Sequence, residues 1–275
     1  ALIRARRYQA AAREAREALR LDPSDVAAYV HLATALDWLG QSAAAVESAQ
    51  AALDLEPEDG RALAALAEAQ ASSGRWEEAD RLAREAVAIL PQDAVAQRAL
   101  GMAHEIQADW DGALEQYRRA AELDLGWAEP LLDQGRIARL RRDPAAARAA
   151  FEAAMARDPQ DPAGPDGLGL VAYDAADLDE AARWFDKAMA LAPDFAAAHG
   201  HRGWVHVARG EWTPAAERFR RALDLGSASV DFRSNEALAL AYAGRCQEAR
   251  PLLLALQAEA PAQAGLLRGG LEACP

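Results

Sequence analysis

Residues 57–91, PEDGRALAALAEAQASSGRWEEADRLAREAVAILP, read as two helical segments separated by Gly74 and closed by a proline at each end. Apolar and small residues recur three or four positions apart in both segments, the spacing a helix needs to bury one face. The phrase then returns along the chain. Proline stands at 23, 57 and 91, then at 159, 193 and 261, a lattice of 34 residues on which Leu125 and Ser227 fill the two missing beats. A helical hairpin of this length cannot bury its apolar face alone, so each copy must stack on the next.

The expected fold is therefore all-α, a solenoid of stacked antiparallel helix hairpins. A length of 275 residues would ordinarily suggest about two globular domains. The unbroken period predicts one body over 1–275 instead. A partial repeat covers 1–25, and full repeats cover 26–59, 60–93, 94–127, 128–161, 162–195, 196–229 and 230–263. A terminal helix covers 264–275. If the closing proline is position 32 of each repeat, Ala1 falls at position 10, near the end of a first helix whose beginning is absent.

Position 20 is alanine in every copy, at Ala11, Ala45, Ala79, Ala113, Ala147, Ala181, Ala215 and Ala249. Position 8 is glycine or alanine, as at Gly101, Gly135, Gly169 and Gly203. Positions 20, 24 and 27 share a helix face. Small residues at 20 and 27 let the second helix lie close to the first, while position 24 carries the bulk: Tyr117, Phe151, Phe185, Phe219 and Leu253. The N-terminal copies have only Ala15, Ala49 and Ala83 there, so that end is expected to open more readily. Pro162, Gly164, Pro165 and Gly167 predict a late or loose helix start, or a hinge, in repeat 162–195. Pro251 predicts a bend or a shifted start in the last second helix.

These residues resemble the tetratricopeptide repeat. Leu100-Gly101 and Leu168-Gly169 match its first-helix pair, and Phe151, Ala154 and Pro159 match its second helix. Gly74-Arg75-Trp76-Glu77-Glu78-Ala79 and Gly244-Arg245-Cys246-Gln247-Glu248-Ala249 match the turn between the helices. The chain departs at position 4, where only Tyr29 supplies the usual aromatic, and Trp76, Trp110 and Trp212 at position 17 are expected to restore bulk. The resemblance implies a right-handed superhelix that binds a protein or peptide ligand in a concave groove lined by first-helix positions 2, 5, 6, 9, 12 and 13. It implies no catalytic residue and no cofactor.

At those positions stand Trp38, Arg98, Glu105, Asp133, Arg136, Arg139, Tyr173 and Trp204, the residues expected to touch a partner. Arg98 on one first helix and Arg136 with Arg139 on the next are placed to converge. Guanidinium groups grip carboxylates in a fork, so they suit an acidic peptide or a free C-terminus. The competing reading pairs them with Glu105, Glu129 and Asp133. Trp204 and Trp38 are either interface anchors or rings tucked against the adjacent helix. The lysine and asparagine pattern of chaperone-binding family members is missing, since the only lysine, Lys187, lies on a second helix.

A net charge of −13 disfavours nucleic acid and acidic membrane as partners, because both attract cations. No apolar run reaches the ~20 residues of a membrane span. Arginine in place of lysine points to a GC-rich bacterial genome, with cytoplasm slightly favoured over periplasm. Cys246 and Cys274 form no CxxC pair or framework. His199, His201 and His206 share one helix, but position 4 and position 11 are packing sites, so core roles are favoured over a metal. No phosphate loop, nucleophile elbow or zincin motif occurs. Two other readings compete with the scaffold. One is a targeting or assembly arm of a larger glycosyltransferase, kinase or secretion protein. The other is self-association through the terminal repeats.

Overall fold

The computed structural model describes residues 2–259 and 264–274, and among them it holds sixteen helices and no strand. Ala1, Pro261 and Pro275 lie outside the described residues. The first helices of successive repeats are α2 (Val26–Trp38), α4 (Gly60–Ser72), α6 (Ala94–Ile106), α8 (Glu129–Leu140), α10 (Ala163–Asp174), α12 (Ala196–Ala208) and α14 (Val230–Tyr242). Second helices are α1 (Leu2–Leu21), α3 (Ser42–Leu55), α5 (Trp76–Ile89), α7 (Trp110–Leu123), α9 (Pro144–Arg157), α11 (Leu178–Leu191), α13 (Trp212–Asp224) and α15 (Cys246–Glu259). The terminal helix α16 (Ala264–Ala273) packs on α14 and α15. The chain divides into two compact units, Leu2–Pro159 and Gln160–Pro275. In each, consecutive helices pack as hairpins and hairpins pack on their neighbours.

Local chemistry sets the helix ends. Asp25, Asp59 and Asp93 cap α2, α4 and α6 by accepting from backbone N–H groups of the first turn. Between the helices of each pair, position 15 adopts the left-handed conformation. Glycine holds it at Gly40, Gly74, Gly210 and Gly244, but Ala108, Arg142 and Ala176 hold it in the other three repeats. A residue with a Cβ is strained there. Those three repeats follow it with aspartate. Asp109, Asp143 and Asp177 each cap the second helix, whereas Gln41, Arg75 and Glu211 make no such bond.

Complementary volume sets the hairpin core. A Cβ built on Gly101, Gly135 or Gly169 would meet the ring of Tyr117, Phe151 or Phe185 at 2.6, 2.6 and 2.5 Å. Gly203 stands in the same relation to Phe219 at 2.8 Å. Where position 24 is Ala49 or Ala83, position 8 is Ala33 or Ala67, and all four are buried. Small faces large, or alanine faces alanine, and either choice fills the space at interior density.

Of four expectations, the late start of the helix in repeat 162–195 holds and the others need amendment. Helix α1 runs unbroken from Leu2 to Leu21, so the hairpin turn implied by placing Ala1 at position 10 is absent. Ala5, Arg6 and Arg7 occupy the turn register and carry no helix breaker. Helix α10 begins at Ala163, one residue later in its repeat than α4 or α6, and is buried through Gly164, Pro165, Asp166 and Gly167. The start is late but closely packed. Helix α15 begins in register at Cys246 and continues through Pro251.

The fourth concerns the cysteines, which are bonded to each other. Cys246 and Cys274 form a disulfide with Cα atoms 5.2 Å apart, tying the start of α15 to the end of α16. Their separation of 28 residues says nothing by itself. The stacking of successive repeats is what brings them together.

Candidate functional site

Within residues 2–159, one face of the first helices carries a buried ionic network. Arg98, from α6, is 7% exposed. Its Nη1 donates to Glu68 Oε1 on α4 at 2.8 Å, and its Nε donates to Asp133 Oδ2 on α8, also at 2.8 Å. Its Cζ lies 5.1 Å from the centre of the Trp38 ring and 5.6 Å from that of Trp127. The guanidinium is thus held between two indoles and two carboxylates, the surroundings that suit a weakly hydrated planar cation. Arg136 pairs with Glu105 and with Asp133, and Tyr117 Oη donates to Glu105 at 2.8 Å. Tyr8 stacks on Trp38 at 5.3 Å and reaches Glu129 through a 3.3 Å hydrogen bond.

Arg98 pairs with Glu68 and Asp133, Arg136 pairs with Glu105 and Asp133, and Asp37 lies near Arg98 on the same face. Burial pushes the Glu68 carboxyl up to about 7, with the carboxylates of Asp37 and Asp133 reinforcing and Arg98 opposing. Asp37 is raised by burial as well, against a 3.1 Å hydrogen bond from Ser72. For Arg98, burial disfavours the cation, but Asp133 and Glu68 outweigh it and hold the group above its ordinary value.

Within residues 160–275, the equivalent face is aromatic. Tyr173 on α10, His201 and Trp204 on α12 and Phe232 on α14 form a continuous set. Ring centroids are 6.1 Å apart for Tyr173–Trp204, 4.8 Å for His201–Trp204 and 5.7 Å for Trp204–Phe232. His201 Nδ1 meets Asp166 Oδ1 at 2.8 Å, and Asp166 is buried. Tyr242 on α14 packs at a tilt against Trp212, ring centroids 4.9 Å apart, and stays 47% exposed.

Of the residues expected to touch a partner, the structure gathers Trp38, Arg98, Glu105, Asp133 and Arg136 into the network, and Tyr173 and Trp204 into the aromatic set. Arg139 lies one turn beyond Arg136 on α8, half-buried. Arg98 and Arg136 take the internal ion pairs, so a ligand carboxylate at Arg98 would have to displace Glu68 and Asp133. Trp204 is half-buried against Phe232 of the next first helix. Trp127 escaped the sequence reading because it occupies position 34, outside the groove register. The usable signal was a tryptophan where Asp25, Asp59 and Asp93 stand in three other repeats.

His199 is buried against the Pro193 carbonyl at 2.9 Å, and His206 bonds Glu211 at 2.5 Å. Burial lowers the proton affinity of both rings. Among the described residues, no group of three or more His, Cys, Asp or Glu is placed to hold a metal ion. No helix among them is long and apolar enough to cross a membrane.

A family model described as a tetratricopeptide repeat matches residues 39–94, 98–162, 132–196, 167–230 and 201–264. No curated protein sequence matches the chain. Among solved structures, the APC/C hetero-tetramer Cut9–Hcn1 is similar over 98% of this chain, with a TM-score of 0.83 and 20% identity. The chain spans 54% of that relative's length. Yeast Tom70 is similar over 97% of this chain and 59% of its own, with a TM-score of 0.66 and 18% identity. Pseudomonas aeruginosa pilF is similar over 74% of this chain and 93% of its own, with a TM-score of 0.62 and 20% identity. At these identities the likeness is one of fold.

Proposed function

The chain belongs to the tetratricopeptide repeat family, and on that premise we propose that it is a non-catalytic scaffold binding a protein or peptide segment along its first-helix face. The observation that carries this reading is the run of Tyr173, Trp204 and Phe232, in ring contact across three successive first helices. Tyr173 and Trp204 are half-buried and Phe232 is buried, and tyrosine and tryptophan are among the side chains that most often anchor interfaces. Rigid helices holding them in register suit an extended segment or a partner helix with little rearrangement.

Selection of peptides from a random display library on the immobilised protein tests the proposal. The expected result is enriched sequences whose photo-crosslinks map to α10, α12 and α14. Crosslinks confined to second helices, or no enrichment at all, would overturn it.

Self-association is favoured by a separate feature. A cleft of about 390 Å³ lies between α1 and α2, lined by Tyr8, Ala11, Ala15, Ala28, His31 and Ala35 among others. Ala11 and Ala15 are at positions 20 and 24, which in later repeats face a first helix. A helix from a second copy is the occupant this second reading proposes for the cleft, and sedimentation showing only monomer across concentration removes the idea. The disulfide, for its part, favours an oxidising compartment over a reducing cytoplasm.

A further inference from the structure

The two units handle the same ligand chemistry in opposite ways. In residues 2–159 a guanidinium, Arg98, sits between two tryptophan faces with carboxylates at 2.8 Å. In residues 160–275 the groove positions of three repeats carry aromatic rings and carboxylates, but no lysine or arginine. Those positions are 163, 166, 167, 170, 173 and 174, then 197, 200, 201, 204, 207 and 208, then 231, 234, 235, 238, 241 and 242. Among them are Tyr173, Trp204 and Tyr242, with Asp166 bonded to His201 directly beside the Trp204 ring.

We propose that this face binds an arginine-bearing segment of a partner protein, whose guanidinium stacks on Trp204 and Tyr173 as Arg98 stacks on Trp38 and Trp127. The proposal rests on the scaffold reading and narrows it to a basic partner. Charge complementarity supports it twice. The groove positions of α10, α12 and α14 hold no lysine or arginine to repel an arginine, Arg268 standing beyond them on α16, and the whole chain, at −13, draws basic partners towards it. Arginine is favoured over lysine because its planar, weakly hydrated head stacks on indole and phenol faces. At the groove positions of α10, α12 and α14 an acidic segment finds no lysine or arginine.

The test uses short labelled peptides in which alanine alternates with arginine, lysine or glutamate. Binding is followed by fluorescence anisotropy in about 0.15 M salt, where long-range attraction is largely screened. The arginine peptide is expected to bind best, the lysine peptide roughly fivefold to tenfold more weakly, and the glutamate peptide not at all. Trp204→Ala should weaken arginine binding by about tenfold. Tyr173→Ala and Tyr242→Ala report on the same face if Trp204→Ala disturbs packing against Phe232, and circular dichroism checks each fold. Trp76→Ala, at an exposed position on α5, should change nothing.

Equal binding of arginine and lysine peptides, insensitive to Trp204, Tyr173 and Tyr242, would reduce the effect to net charge and overturn the proposal. The display selection separates the two levels of the reading. Enriched peptides without arginine leave the scaffold standing and sink the basic partner. No enriched peptide of any kind sinks both.

Discussion

Residues 2–159 and residues 160–275 follow one repeat rule and build different interiors with it. On the first-helix face, the N-terminal unit places a closed network of Arg98, Glu68, Asp133, Arg136 and Glu105. The C-terminal unit places Tyr173, His201, Trp204 and Phe232 there. Between the helices of a pair, the N-terminal unit starts with alanine on alanine and reaches aromatic on glycine only at Gly101 and Gly135. The C-terminal unit uses aromatic on glycine from its first hairpin, at Gly169 and Gly203. The small, hydrogen-bond-free positions that define the family tolerate both solutions. The positions left over, facing inward, decide whether a stretch closes on itself or presents rings to a partner.

The sharpest way to break the comparison is to remove the centre of each interior. Arg98→Ala leaves Glu68 and Asp133 without their main cation, and stranding charges in a buried site costs about 3–5 kcal/mol. Arg98→Met combined with Glu68→Leu removes a cation and an anion together and should recover most of that loss, because buried ion pairs contribute little beyond an apolar replacement. In the other unit, Phe185→Ala empties the space over Gly169 and should cost about 3–5 kcal/mol with no such rescue. Urea unfolding of the four proteins distinguishes the cases. A double variant no better than Arg98→Ala would show that the network is not the N-terminal unit's weak point.

Next in size is the covalent tie that only the C-terminal unit possesses. Cys274→Ser opens a loop of 28 residues and should cost about 3.5 kcal/mol on a chain-entropy account. The loss should be confined to α14, α15 and α16 by hydrogen exchange. Reductant should reproduce it in the wild type and leave the variant unchanged.

Glu68 sets a pH dependence on the N-terminal unit alone. Its folded-state carboxyl, at about 7, lies above the ordinary 4.5, so the folded chain holds that proton more tightly than the unfolded one. The associated stability is present below the unfolded value and is lost as pH climbs from about 4.5 through about 7, amounting to about 3 kcal/mol at most. Glu68→Gln keeps an acceptor for Arg98 and removes the titration. Melting temperature should therefore fall less, or rise more, with pH across that window in the variant than in the wild type, with Asp37, His199 and His206 left to titrate in both. A slope equal to wild type would place the proton elsewhere.

Much of this was legible before any coordinates. The proline lattice, the alanine at position 20 and the glycine at position 8 state packing constraints that act within a single hairpin, and local constraints leave a local periodic signal. The competing reading caught the pairing of Arg98 with Asp133 and of Arg136 with Glu105, but not the rest of the Arg98 cage, because Trp38, Glu68, Trp127 and Asp133 come from four repeats. Whether their side chains reach a common point depends on the curvature of the stack, which no spacing encodes. The same reason hid the cysteine pair. It also left Trp204 balanced between anchor and packing, since Phe232 meets it from the following repeat.

The smallest effect concerns the left-handed residue at the hairpin turn, where both units mix their solutions. Gly74 and Gly244 adopt it freely, while Ala108, Arg142 and Ala176 hold φ near 60° against their own Cβ atoms. Ala176→Gly removes that strain, which is of order 1–2 kcal/mol for an L-residue. Glycine also adds backbone freedom to the unfolded chain, which takes back part of the gain. The net should be a stabilisation of about 1 kcal/mol. The Asp177 cap, still bonded to the Glu180 N–H, should be additive with it. If Asp177→Ala costs about 1 kcal/mol in both backgrounds, the cap offsets the strained turn without being coupled to it. A much larger cost in the alanine background would mean that the aspartate holds the turn itself in its left-handed state.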